Sequence, residues 1–345
     1  MKALVKTQKG KGFLELKDMP EPRKPGVGEV KIKVAACGIC GTDIHVKHDE
    51  FPYWPPVILG HEFSGTVIEV GPECVMAKVG DRVVAEPHTK ACGVCYLCRT
   101  GNVQICPSKR SPGWGIDGAM TSLITYPEKL LHKIPDHMTF EQAAVVEPTV
   151  NCVADIIERG CIVPGDFVVV IGPGPIGLLA AMVCRAAGAK EVLVVGTPAD
   201  VKLRLAKAKE LGFKTVNIAE KAAVDVVQEM TGGIGADLVV ECSGSPRAIP
   251  GTVELVRKMG KVCAIGLTGN KNVELPWDKF CSKVITLYFN MSTTYSSWDR
   301  AIAMIASGKL PVEKLITHKA PLAEWERVFA ACENLEGLKG LLIPE

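Results

Sequence analysis

The chain has 345 residues, of which 47% are apolar and 23% charged, and its formal net charge is +2. This length favours two domains over one. The composition excludes a disordered chain and offers no basic footprint for nucleic acid, so small molecules are the expected partners.

The opening MKALVKTQKGKGFLEL has Lys recurring through it and lacks the apolar stretch of a secretory leader, so a cytoplasmic protein is expected. Fourteen cysteines would suggest disulfides in a secreted chain, but most of them are scattered without a framework. In a reducing compartment, clustered cysteines more often mean metal.

Up to about residue 150 the chain reads as short β-runs (VKIKVAA, FSGTVIEV, DRVVAE, SLITYP) between Gly and Pro clusters, the pattern of an irregular, mainly β domain. Within it, CGICGTDIH at residues 37–45 and GHEFSG at 60–65 place Cys40, His61 and Glu62 on separate loops. Sulfur, nitrogen and oxygen donors with a position left open are what a catalytic zinc needs, although a buried cysteine beside a satisfied histidine accounts for the spacing equally well.

The stretch ACGVCYLCRTGNVQIC follows, with Cys92, Cys95, Cys98 and Cys106 in the pattern C-x2-C-x2-C-x7-C. Zinc fits this spacing best, and four thiolates leave no open position, so the lobe is expected to be structural. An iron–sulfur cluster and four reduced thiols are the alternatives.

From about Pro164 strands alternate with helices: FVVVIG, IGLLAAMVCRAAG, EVLVVG, KLRLAKAKELG, TVNI, ADLVVECSG, KVCAIGL. This predicts an α/β region with a parallel, doubly wound sheet whose apolar strands are covered on both faces. The uncharged run from Phe167 to Cys184 reaches the lower limit of a membrane span, about 18 residues, but Gly and Pro interrupt it, so a strand, a turn and a helix are expected and no membrane partner.

Gly172-Pro173-Gly174-Pro175-Ile176-Gly177 completes G-x-G-x-x-G between a strand and a helix. There Gly172 permits the tight turn, Gly174 lets a pyrophosphate approach and Gly177 allows close helix packing. The next strand ends EVLVVGTPAD, with Gly196 and Thr197 at its tip where an NAD site would carry a carboxylate. Its absence removes a barrier to a 2′-phosphate, and Thr197, Lys202 and Arg204 could bind one, so NADP is favoured over NAD; Asp200 lies beyond the tip and reads as a helix cap. In the tail, WDRAIAMIASG and LAEWERVFAACEN are amphipathic helical candidates that could return to the first domain.

Taken together, CGICGTD, GHEFSGTVIEVGPE, the four-cysteine lobe, DGAMTSLITYP and VVVIGPGPIG resemble the zinc-dependent medium-chain alcohol dehydrogenases, in particular their sorbitol and threonine dehydrogenase branch. The resemblance covers nearly the whole chain. It implies a GroES-like catalytic domain over residues 1–151, a Rossmann dinucleotide-binding domain over 152–291, and a return to the catalytic domain over 292–345. It also implies two zinc ions per chain, one catalytic and one structural, and a homotetramer.

Carried over by position, Cys40, His61 and Glu62 are the catalytic zinc ligands, and Cys37 packs the core. Glu147 is a further ligand, bound directly, bound through water, or exchanging with Glu62. Thr42 relays the substrate proton, His45 passes it to solvent, and Asp43 orients His61 from behind.

The implied reaction is hydride transfer between a secondary alcohol and NAD(P). Glu62 and the Glu86-Pro87 pair lean toward a polyol. His88 and the GTD triplet keep a 3-hydroxy amino acid as runner-up, and phosphorylated polyols are a third possibility, with Lys47 and His48 as phosphate contacts unless they are simply a solvated loop. A dinucleotide-binding protein without turnover is the non-enzymatic alternative, opposed by the retained Cys40, Thr42, His61 and Glu62.

Overall fold

The computed structural model describes residues 1–345 and divides into two compact units: Met1–Glu147 with Ser292–Ala306 and Pro311–Glu345, and Pro148–Met291 with Ser307–Leu310. No helix is long and apolar enough to cross a membrane.

In the first unit, strands β1 (Lys2–Lys6) and β2 (Leu14–Asp18) form a small antiparallel sheet that β4 (Val57–Ile58) joins; β3 (Glu29–Gly38) falls between them in the chain and belongs to a larger sheet. That larger sheet also contains β5 (Glu62–Val70), β6 (Arg82–Ala85), β7 (Leu123–Pro127) and β8 (Leu131–Lys133). Alternating residues Val30, Ile32 and Val34 of β3 meet Val67, Val83, Ile124 and Tyr126 in one core, the period-2 pattern turned inward.

The second unit is one parallel sheet of β9 (Phe167–Ile171), β10 (Glu191–Gly196), β11 (Lys214–Asn217), β12 (Ala236–Glu241), β13 (Val256–Ala264) and β14 (Thr286–Phe289). Its order, β11-β10-β9-β12-β13-β14, reverses direction between β9 and β12, the switch point at which dinucleotides bind in such sheets. Every residue of β9 is buried, as a strand covered on both faces requires.

The chain then returns to the first unit. β15 (Ile316–Pro321) and β16 (Lys339–Ile343) add to the edge of the large sheet, with Leu341 opposite Gly38 and Leu342 opposite Cys37. Gly38 in turn faces Glu62 on β5. This register lines up Leu341, Gly38 and Glu62 across three strands that lie far apart in sequence, and brings the Lys339 side chain, two residues before Leu341, to Glu62.

Candidate functional site

Asp43 gathers the candidate metal ligands. It sits in the first turn of the helix Gly41–Lys47, 1% exposed, and its carboxylate accepts the Cys40 N–H at 2.9 Å and the Gly60 N–H at 3.3 Å. One side chain thus fastens the loop that ends in Cys40 to the loop that ends in His61. Gly60 has φ +93° and a Cβ there would lie 2.6 Å from Cys37 Sγ, so only glycine makes that turn.

The ligand atoms of Cys40, His61 and Glu62 all lie within 4.8 Å of one another. His61 is buried, packs edge-on to Trp114 with ring centroids 4.8 Å apart, and has its Nδ1 3.9 Å from Asp43 Oδ1 with no hydrogen-bond partner. Burial alone would depress the imidazole pKa, but the Cys40 sulfur, Asp43 and Glu147 overturn that and hold it up to about 10. A site that stabilises a proton this strongly is an anionic pocket suited to a cation. Thiolate, imidazole and carboxylate within this spacing fit zinc.

Glu62 introduces a partner that sequence reasoning missed. Its buried carboxylate is paired with the buried Lys339 ammonium, which also donates to Ile39 O at 3.1 Å. Burial opposes the charge on Lys339, and Glu62, Cys40 and Glu147 outweigh it, so its pKa is raised. A Cβ on Gly38 would fall on the Glu62 carboxylate oxygen at 2.3 Å, which explains the glycine in that strand. Glu147, in the first turn of the helix Val146–Val153, stands outside the group of three, yet its charge acts on His61 and Lys339.

Thr42 and His45 lie on one face of the same short helix, three residues apart. Thr42 is half-buried, and His45 is exposed with Nδ1 3.0 Å from Glu50 Oε2.

The four lobe cysteines converge. Sγ atoms lie 3.6 Å apart for Cys92 and Cys106, 3.9 Å for Cys92 and Cys98, and 4.0 Å for Cys95 and Cys106. A tetrahedron with metal–sulfur bonds of about 2.3 Å has sulfurs about 3.8 Å apart, so the lobe is zinc-sized. Backbone N–H groups of Val94 and Cys95 pull the Cys92 thiol down to about 6, which favours the thiolate a metal needs.

Other expectations are corrected. Glu86 does not face outward for a polyol: it is buried, and its oxygens meet His132 Nε2 at 3.1 Å and His88 Nε2 at 3.5 Å. Lys47 and His48 both bind Glu333, at 2.7 and 2.8 Å, and neither is left for a phosphate.

In the second unit the glycine turn matches its expected division of labour. Gly172 has φ +93° and a Cβ there would meet Ser243 beyond β12 at 2.9 Å; a Cβ on Gly177 would lie 1.8 Å from Gly172 O. At Gly174, by contrast, nothing comes nearer than Arg204 Nη1 at 3.9 Å, which leaves open the side a pyrophosphate would fill. Pro175 starts the helix Pro175–Ala186 with Ile176 beside it, so unpaired N–H groups point at that opening.

At the tip of β10, Asp200 caps the following helical turn as expected: its carboxylate accepts the Thr197 N–H at 2.9 Å and hydroxyl at 2.8 Å, and this capping box also brings an acid back to the strand tip. Gly196 is a packing glycine, since a Cβ would press on Leu205 and Pro173 at 2.9 Å. Arg204 stands 3.5 Å from Asp200 and keeps a buried Nε without a partner. Lys202 is exposed.

Comparison with known proteins covers both halves of the chain. The chain matches the family described as alcohol dehydrogenase GroES-like domain over residues 26–136 and the one described as zinc-binding dehydrogenase over residues 175–307. It is 37% identical to a sorbitol dehydrogenase of Halalkalibacterium halodurans, across 100% of this chain and 99% of that one. It is 35% identical to a D-arabitol-phosphate dehydrogenase of Enterococcus avium, across 95% and 93%. A zinc-binding dehydrogenase of Sinorhizobium meliloti, solved bound to NADP, superposes with a TM-score of 0.90 at 30% identity over 99% of both chains. With both halves matched and relatives aligned end to end, the chain belongs to the zinc-type medium-chain alcohol dehydrogenases, NAD(P)-dependent oxidoreductases of alcohols and polyols.

Proposed function

We propose that this enzyme oxidises a secondary alcohol of the polyol class, and reduces the matching ketone, at a zinc held by Cys40, His61 and Glu62 with Glu147 at hand. The observation that carries this reading is the convergence of those three ligand atoms under the clamp of Asp43. The names of the sorbitol and arabitol-phosphate dehydrogenases that align along the chain support the polyol class.

Zinc, when bound, supplies a Lewis acid for the substrate hydroxyl, and the nicotinamide accepts the hydride. The Asp43 carboxylate faces His61 Nδ1 at 3.9 Å, and its charge favours a hydrogen on that nitrogen, which leaves the other ring nitrogen for the metal. The Thr42 hydroxyl accepts the substrate proton as it gives up its own, and His45, exposed and paired with Glu50, takes that proton and releases one to water. Lys339 holds the Glu62 carboxylate in position until a cation claims it.

The four-cysteine lobe takes the second, structural zinc. NADP is the favoured coenzyme: the orphan Nε of Arg204 beside Gly174 supports it, while Asp200 opposes it and is occupied by Thr197. Fourteen cysteines without a disulfide suit a cytoplasmic enzyme, and the exposed Phe289 on edge strand β14 suits assembly, a homotetramer by resemblance.

The test is reduced-nicotinamide absorbance with zinc-loaded protein, pairing sorbitol or L-threonine with NADP or NAD. Turnover of sorbitol with NADP is expected, and Arg204→Ala should narrow the preference for NADP. L-Threonine as the better substrate would replace the polyol reading, and NAD as the better acceptor would overturn the coenzyme assignment.

A further inference from the structure

Glu241 ends β12, beside the point where the strand order of the parallel sheet reverses, and it takes no part in the reaction above. It is 2% exposed. Its carboxylate serves the turn that follows: Oε1 accepts the Ser243 N–H at 2.9 Å and the Ser243 hydroxyl, and Oε2 accepts the Gly244 N–H at 3.1 Å. Its backbone carbonyl accepts two more N–H groups, from Ile265 and Gly266 in the turn after β13, each at 2.9 Å. One residue thus joins the loops at the tips of two adjacent strands.

The joint is close on every side. A Cβ on Gly266 would lie 2.2 Å from Gly244 N and 2.6 Å from Glu241 Oε2, and one on Gly244, at φ +61°, would lie 2.3 Å from Leu267 O. Toward β9, the Cys242 N–H donates to Ile171 O at 2.9 Å, and a Cβ on Gly172 would lie 2.9 Å from Ser243 Cα. The loops after β9, β12 and β13 therefore meet at residues 241–244. An acid is a demanding choice there. Its three donors require acceptors on both oxygens, which a carboxylate has and an amide lacks. Gly244 is buried, so its N–H cannot turn to water once that acceptor is lost. Ser243, in contrast, is held from within by the buried acid and is exposed on its outer side.

The position of this turn says what would lie against it. In a doubly wound sheet a dinucleotide crosses the carboxyl ends of the strands at the reversal of order, with one nucleotide on each half. The tip of β10 belongs to the adenosine half and the glycine turn after β9 to the pyrophosphate, so the tips of β12 and β13 belong to the nicotinamide half. Ser243, packed on Gly172, stands where that second half begins.

We propose that Glu241 is a positioning residue for the nicotinamide half of the coenzyme. By fastening the turns after β12 and β13 to each other it fixes the ledge that carries this half, while the adenosine half depends on the tip of β10. The carboxylate faces inward and acts through Ser243 and Gly244. This rests on the NAD(P)-dependent reading and adds to it a residue that sets coenzyme affinity from behind the binding surface.

The test is calorimetric titration of wild type, Glu241→Gln, Glu241→Asp and Ser243→Ala, each with a verified unfolding midpoint, using NADP, NAD and their adenosine fragments, adenosine 2′-phosphate and AMP. Glu241→Gln keeps the size of the side chain but turns one acceptor into a donor that faces an N–H. It should weaken the preferred dinucleotide about tenfold or more and leave the matching fragment within about twofold of wild type. The coenzyme KM should rise by the same factor, whereas a smaller folded fraction alone would lower apparent kcat at unchanged KM. Glu241→Asp, which keeps both acceptors on a shorter arm, should recover part of the affinity. Ser243→Ala removes one donor and should cost the dinucleotide about threefold, again sparing the fragment; it decides the question if Glu241→Gln does not fold. Unchanged dinucleotide affinity in the folded variant, or equal weakening of dinucleotide and fragment, overturns the role. A wild type that binds neither dinucleotide overturns the coenzyme reading itself, and the role falls with it.

Discussion

Replacing Lys339 with Met keeps the length of the side chain and removes its charge, leaving the Glu62 carboxylate buried beside a thioether. Both partners are almost fully enclosed, at 1% and 3% exposure, so water cannot take over from the lost ammonium. Breaking one half of such a pair costs about 3–5 kcal/mol, and Ile39 O also loses its donor. For a unit of this size each kcal/mol moves Tm by about 2–4 °C, which puts the shift at roughly 6–20 °C. The assay is thermal and urea unfolding of chelator-treated wild type, Lys339→Met, Glu62→Gln and the double variant. The double variant should recover at least about 2 kcal/mol relative to additivity, because it removes both charges. Zinc should stabilise Lys339→Met more than wild type, since the metal then supplies the only cation available to Glu62. A loss below about 1 kcal/mol in chelator, or a double variant no better than the sum of the singles, would refute the buried pair as a determinant of this site.

Asp155 is buried in the second unit, accepts from Asn290 Nδ2 at 2.6 Å, and is pushed up to about 6 mainly by burial. Because the folded protein holds this proton more tightly than the unfolded chain, its contribution is complete below about pH 4 and is lost as pH rises through 6. Asp155→Asn should flatten that slope and gain roughly 3 kcal/mol at neutral pH, as read by unfolding of the second unit across this range; an unchanged slope would contradict it. Gly177→Ala should cost at least about 3 kcal/mol, while Gly174→Ala should unfold within about 1 kcal/mol of wild type but bind the dinucleotide about tenfold more weakly, as checked by calorimetry. Cys98→Ser should lower the zinc content by one ion per chain and the thermal stability of the first unit by several degrees; full zinc content by elemental analysis would remove the lobe as a metal site.

Features local in the chain were legible. The uncharged run into GPGPIG announces β9, its turn and its helix, because Gly172 and Gly177 answer backbone constraints within a few residues or just across the sheet. The lobe cysteines are legible for the same reason, since fifteen residues of chain hold all four sulfurs. Lys339 was not legible: it is 277 residues from Glu62, and a single lysine beside LLI resembles any strand-edge lysine until the β16–β3–β5 register is known. Asp200 was legible as a helix cap, but not that the cap bonds return its carboxylate to Thr197 at the strand tip. Glu86 looked like a substrate contact, but pairing of β6 with β8 sets His132 near it and consumes its charge. Lys47 and His48 were likewise neutralised by Glu333, an acid contributed from the far end of the chain.

The central claim is that the Cys40, His61 and Glu62 cluster carries the chemistry and the lobe does not. It is tested most directly by alcohol-dependent reduced-nicotinamide formation in zinc-loaded Cys40→Ser, with folding verified by an unchanged unfolding midpoint for the second unit. The account predicts turnover lost by about a thousandfold or more. Turnover near that of wild type would contradict it and move the reaction away from this metal site.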